Sequence, residues 1–136
     1  MIKTARAIII EDNKLLVFFR RKINNGVENT YYAIPGGHVE DDETCEETVV
    51  RELKEEMNLD IEIIEYLGNF VIDNKEENYY YAKIVGGELQ FGGEELERNS
   101  YDNYYEIRWL PVEDIDNSGI RALNFIKEII KKDYEN

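Results

Sequence analysis

Between Gly36 and Leu59 the chain carries nine acidic side chains and two basic ones, a net charge of −7 in 24 residues. Like charges at this density repel, so such a segment folds only where counter-charges or cations offset them. Its pattern is nonetheless helical. Thr44, followed three residues later by Glu47, makes a Ser/Thr-x-x-Glu capping box, and Asn58 stands just past the last turn, where a left-handed residue ends helices. A helix from Thr44 to Met57 places Val50, Leu53 and Met57 on one sector, suited to packing against a sheet. Glu52, Glu55 and Glu56 fall within a different sector of roughly 100°. One stripe serves the core and the other gathers carboxylates.

Three carboxylates at i, i+3 and i+4 do not readily stay ionised together without a cation. Hard oxygen donors select Mg²⁺ or Mn²⁺ over softer transition metals. Magnesium keeps several waters and usually bridges protein carboxylates to substrate phosphate oxygens. That property reconciles the helix with the charge of the whole chain. Over 136 residues, 16 Lys and Arg oppose 30 Asp and Glu, a formal charge of −14. No basic stretch interrupts the excess, so a grip on a nucleic-acid polymer or on anionic lipid is disfavoured. A small anionic substrate is compatible with it once a divalent ion neutralises the site.

The length suits one domain over residues 1–136, and no Gly/Ser-rich linker divides it. Cys45 stands alone, which excludes an intrachain disulfide and a cysteine-built zinc site. No apolar run approaches the roughly 20 residues of a bilayer span. The N-terminus also lacks the features of a secretory signal, so a cytoplasmic setting without membrane contact is expected. Apolar runs at 4–10 and 15–21 around a polar turn predict a hairpin, and residues 22–30 read as a surface loop. Further strands are expected at 31–34, 61–72, 78–85 and 104–110, with 86–103 the longest irregular region. Ile120, Leu123, Ile126, Ile129 and Ile130 repeat at helical spacing and predict a closing helix over 119–132. Strands mixed with two helices indicate an α/β layered domain.

Gly37, Glu43, Arg51-Glu52-Leu53, Glu55-Glu56, Asn58 and Leu59 together resemble the Nudix box, Gly-x5-Glu-x7-Arg-Glu-U-x-Glu-Glu-x-Gly-U, where U is a bulky aliphatic residue. The box spans 37–59, and its one departure is Asn58 where the family has glycine; asparagine is the next most tolerant residue at positive φ. The resemblance implies an α/β/α sandwich around a mixed sheet, with the box as a loop–helix–loop. It implies hydrolysis of a nucleoside diphosphate linked to another moiety, with a nucleoside triphosphate the best single substrate, and a monomer or a homodimer. Glu52, Glu55 and Glu56 match the family's metal-binding glutamates, and one of them, or a later-loop glutamate, deprotonates the attacking water. Gly36 matches a position whose carbonyl joins the metal shell, and Gly37 lets backbone approach the diphosphate. Glu43 and Arg51 match a pair that orients the catalytic helix.

Arg20 and Arg21 stand where family members often contact substrate phosphate, and strand alternation lets only one face the cleft. Tyr32 stands where many members carry an aromatic residue able to stack on a base. His38 occupies a position the family leaves variable. Glu94, Glu95, Glu97 and Glu106 are the candidates for a later-loop base. The rival reading is a nucleotide-binding sensor that keeps the fold without turnover. Such proteins usually lose a box carboxylate, and here all are present.

Overall fold

The computed structural model describes residues 1–92 and 99–134. Eight strands, two α-helices and a 3₁₀ turn follow one another among them: β1 (Ile2–Ile8), β2 (Ile10–Glu11), β3 (Lys14–Asn24), β4 (Val27–Ala33), β5 (Gly36–His38), α1 (Cys45–Met57), β6 (Leu59–Ile72), β7 (Lys75–Gly87), β8 (Asn103–Pro111), the 3₁₀ turn (Val112–Asn117) and α2 (Leu123–Tyr134). The strands form two sheets. One is mixed, in the order β5-β1-β7-β6, with β1 and β7 parallel. The other is antiparallel about β3, with β2 and β4 on one edge and β8 on the other.

Strand alternation divides the interior into two layers. Leu16 and Phe18 of β3 join Ala5, Ala7 and Ile9 against α1, whereas Leu15 and Val17 join Ile8 and Tyr79 against α2. The result is the helix–sheet–helix layering expected of the chain. Helix α1 contributes Val49, Leu53 and Met57, each fully buried, worth roughly 1.5–3 kcal/mol per side chain. Val50, expected on that face, is instead 42% exposed. The 49–53–57 series keeps strict i+4 spacing and faces the sheet, which turns Val50 outward.

Three hairpins close on two-residue loops: Asp12-Asn13, Asn25-Gly26 and Asp73-Asn74, each with positive φ at both central residues. Primed turns require that conformation, because their twist matches that of the strands they join. The second hairpin corrects the expected loop at 22–30. Pairing of Lys22 with Asn29, Ile23 with Glu28 and Asn24 with Val27 carries the sheet right to the Asn25-Gly26 turn. Exposure of Val27 to Thr30 removes the period-2 apolar pattern that would have marked a strand. Helix α2 begins at Leu123 rather than at 119, because Gly119 (φ 71) and Ala122 (φ 58) break the helical backbone before it.

Both ends of α1 are built as its sequence predicts. The Thr44 hydroxyl accepts from the Glu47 N–H at 3.1 Å, and the Glu47 carboxylate accepts from the Thr44 N–H at 2.9 Å. Asn58 sits at φ 59 and ψ 34, its backbone N–H returning to the last turn, while its side chain donates to the Glu88 carbonyl at 2.9 Å. Replacing Asn58 by alanine should therefore lower stability by about 1–2 kcal/mol, through the left-handed penalty and the lost bond. Asn58→Gly should lose less, and thermal unfolding of the two variants checks the order.

Candidate active site

β5 and α1 bring the acidic helix to the mouth of a cleft of about 770 Å³ between the sheets. Two glycines make this approach possible. Gly36 lies opposite Arg6 of β1 at φ 149, and a Cβ there would strike the Ala5 carbonyl and the Arg6 backbone. At Gly37 a Cβ would stand 2.5 Å from an oxygen of Glu52. The carboxylate of Glu52 thus lies flat on the Gly37 backbone.

Glu52, Glu55 and Glu56 all line this cleft, as do Gly36, Gly37, His38 and Glu40. Glu56 is the most enclosed of the three, at 5% exposure. Arg51 ties two of them, Glu52 and Glu55, to Glu43. Its Nε and Nη2 donate to the two oxygens of Glu43 at 2.6 and 2.9 Å, a bidentate pair. Nη1 donates to Glu52 at 3.0 Å and to Glu55 at 3.3 Å, and Nη2 also reaches the His38 carbonyl. With its donors so engaged, Arg51 positions carboxylates rather than presenting itself to a substrate. Glu43 accepts from Thr48 as well, at 2.6 Å. The Arg51 hydrogen bonds, helped by Thr48, bring the Glu43 carboxyl down from its ordinary 4.5 to about 2. Reciprocally, the bond to Glu43 pushes the Arg51 guanidinium up.

No three Asp, Glu, His or Cys side chains among the described residues are gathered closely enough to hold an ion as they stand. Glu52 and Glu55 reach Arg51 instead. The donor set still fits a hard divalent cation in its chemistry: carboxylate oxygens from one helix face, with the glycine pair lining the same cleft. Glu52, Glu55 and Glu56, with Gly36, are the groups that would hold it, once the two paired carboxylates turn from Arg51.

The basic residues divide as alternation requires. Arg20 lines the cleft, with its guanidinium 4.0 Å from the Tyr105 ring centroid and donating to the Tyr105 hydroxyl at 2.5 Å and to Asn103 at 3.2 Å. Arg21 faces the other way, between the rings of Tyr101 and Tyr104, and does not border the cleft. Tyr32 reaches the rim, yet its ring leans on Phe19 and its hydroxyl accepts from Arg108 at 3.2 Å. Its neighbour Tyr31 is the one that shares a face with Arg20, 5.6 Å from the guanidinium. Glu106 is taken up by Arg108 and Tyr104, which hold its carboxyl below the ordinary range, and lies outside the cleft lining. Glu94, Glu95 and Glu97 lie outside the described residues.

A second cluster at the cleft has no counterpart in the sequence reading. Arg6 and Arg121 both donate to one oxygen of Glu77, at 3.3 and 3.4 Å, and the Tyr79 hydroxyl donates to the other at 2.9 Å. Glu77 is 1% exposed. Lys75 completes the basic wall. One local signal for it exists: Arg6 interrupts the buried run from Thr4 to Ile8 in β1 with a charged, half-buried side chain. Arg121 stands in a loop and carries no comparable mark.

A family model described as the NUDIX domain matches residues 1–131. A protein of Methanocaldococcus jannaschii named ADP-ribose pyrophosphatase is 38% identical over 101 residues, which cover 70% of this chain and 58% of that protein. The chain thus spans little more than half the length of that relative. Among solved structures, the MutT protein of Methanosarcina mazei Go1 superposes with a TM-score of 0.66 at 24% identity, covering 99% of this chain and 96% of its own. A NUDIX hydrolase of Nitrosomonas europaea superposes with a TM-score of 0.72 at 18% identity, covering 99% and 73%.

The depressed Glu43 carboxyl fixes the sign of a pH effect. Its contribution to stability is complete above about 4.5 and is lost as pH falls toward about 2. Glu43→Gln should therefore melt below the parent at neutral pH, with the gap closing across that acid window. Thermal melts between pH 7 and pH 2 check it, and a gap constant with pH would contradict the assignment.

Proposed function

The chain belongs to the Nudix family, and from that membership we propose that it hydrolyses the diphosphate linkage of a nucleotide or nucleotide derivative with a divalent metal ion, Mg²⁺ or Mn²⁺. One observation carries this reading. Three box carboxylates, Glu52, Glu55 and Glu56, share a cleft with the guanidinium groups of Arg6, Arg20 and Arg121. Acid for a cation and base for an anion thus meet in one space, as phosphoryl transfer to water requires.

A bound divalent ion supplies Lewis acidity to phosphoryl oxygens and acidifies a water. The chain's own residues supply placement. Arg51, braced on Glu43, sets the rotamers of Glu52 and Glu55 and limits their mutual repulsion. Gly37 keeps the space above Glu52 clear. Arg20, steadied by Tyr105 and Asn103, aims positive charge into the cleft. A carboxylate of the trio takes the proton of the attacking water as it approaches phosphorus in line. A nucleoside triphosphate, released as monophosphate and pyrophosphate, is the substrate this reading favours. The relative named ADP-ribose pyrophosphatase makes ADP-ribose the comparison that any substrate panel must contain.

Turnover should require Mg²⁺ or Mn²⁺, and Glu52→Gln, Glu55→Gln and Glu56→Gln should each lower kcat by at least about 10²-fold. The general base is the position whose variant loses kcat while keeping metal affinity by calorimetry. A parent chain that binds nucleotide and metal but releases neither phosphate nor pyrophosphate from any panel member would turn the assignment to a sensor. Gly37→Ala should lower kcat/KM by roughly 10- to 100-fold, because the added methyl displaces Glu52.

A further inference from the structure

The cluster of Arg6, Glu77, Tyr79 and Arg121 is asymmetric in charge. One buried carboxylate serves two guanidinium groups, leaving about one positive charge over. Such an arrangement is a weak device for stability alone, since burying an ion pair often fails to recover its desolvation. It is an effective device for aiming. Glu77 and the Ile34 carbonyl hold Arg6 in place, the latter at 2.9 Å, while the Arg121 side chain keeps 45% of its surface open. Beyond Glu77, Arg121 has no hydrogen-bond or ion-pair partner among the described residues.

Position decides what the spare charge is for. Gly36 lies against Arg6, and Gly37, one residue on, lies against Glu52. Arg6 and Arg121 line the same cleft as Glu52, Glu55 and Glu56, so the basic and acidic poles share one space. A substrate whose scissile phosphoanhydride lies at the glutamates has room in that cleft to extend its next group toward the arginines. In a diphosphate joining two sugars, that group is uncharged. In a triphosphate it is a further phosphoryl carrying about −1.5 to −2.

We infer that Arg6 and Arg121, anchored on Glu77, form an anion subsite for a phosphoryl group beyond the scissile diphosphate. Its presence selects nucleoside triphosphates over sugar-linked diphosphates. The inference rests on the hydrolase reading for where the scissile bond lies, but the subsite itself can be tested without turnover. Calorimetric titration of the full chain with inorganic tripolyphosphate and with inorganic pyrophosphate, at fixed Mg²⁺, is the direct measurement. The parent should bind tripolyphosphate about tenfold more tightly or better. Arg121→Gln should remove most of that difference and Arg121→Lys restore part of it, since the ammonium keeps the charge without the fork. Lys127→Gln, which removes an equal charge paired with Asp116 on the α2 side, should leave both affinities in place.

In kinetics, Arg121→Gln should raise KM for a nucleoside triphosphate about tenfold with kcat changed less than about threefold. Equal affinities for the two anions in the parent, or a difference that survives Arg121→Gln, would overturn the subsite. The failures separate cleanly. A parent that discriminates the anions but hydrolyses no nucleotide keeps the subsite and loses the hydrolase reading. Turnover without discrimination does the reverse.

Discussion

The acidic side of the cleft depends on one guanidinium. A helix with carboxylates at Glu52, Glu55 and Glu56 and more acid at its start would repel itself. Arg51 offsets that repulsion by meeting Glu43, Glu52 and Glu55 together at 2.6–3.3 Å. The bidentate pair with Glu43 matters most, because it fixes the plane of the guanidinium and so decides where Nη1 points. Lysine could supply the charge but not the fork. The same arrangement holds Glu52 and Glu55 at the cleft by hydrogen bonds of 3.0 and 3.3 Å to one nitrogen, contacts that a hard cation would displace on the proposed reading.

That bracing works only because the backbone beside it is thin. β5 is a three-residue edge strand paired to β1, and its two glycines contact opposite poles of the site. Side chains at either position would separate β5 from Arg6 or from Glu52. The short strand is therefore a spacer between an acidic helix and a basic sheet face, and the absence of side-chain bulk is its contribution.

Legibility followed locality. The helix, its capping box, its left-handed end at Asn58 and its carboxylate stripe are all written within one stretch of chain, and each has a geometric signature. The hairpin through residues 22–30 is nearly invisible because solvent lies on both sides of its tip. No apolar alternation develops there, and Asn25-Gly26 is the one cue. Val50 and Val49 compete for the same face with a difference of one residue, which apolar counting does not separate. The basic cluster is the extreme case. Arg6 and Glu77 are 71 positions apart and Glu77 and Arg121 are 44 apart. Parallel pairing of β1 with β7 brings the first two together, and no local pattern announces a parallel partner.

The charge of the molecule and the charge of its cleft differ in a way that bears on what can enter. The described lining holds five carboxylates (Glu40, Glu52, Glu55, Glu56 and Glu77) and five cations (Arg6, Arg20, Arg51, Lys75 and Arg121). These cancel, so the described lining contributes nothing to the formal −14 of the chain. A phosphate polymer would have to lie against that surface over many charges, and at physiological salt the repulsion extends only about 8 Å, enough to oppose such contact. A small nucleotide that withdraws into a space of about 770 Å³ leaves the repelling surface behind and meets a balanced one. A divalent ion bound as proposed would make the described lining net positive. On the proposed reading, selection for small phosphorylated molecules over polymers follows from where the charges are partitioned, before any single contact is made.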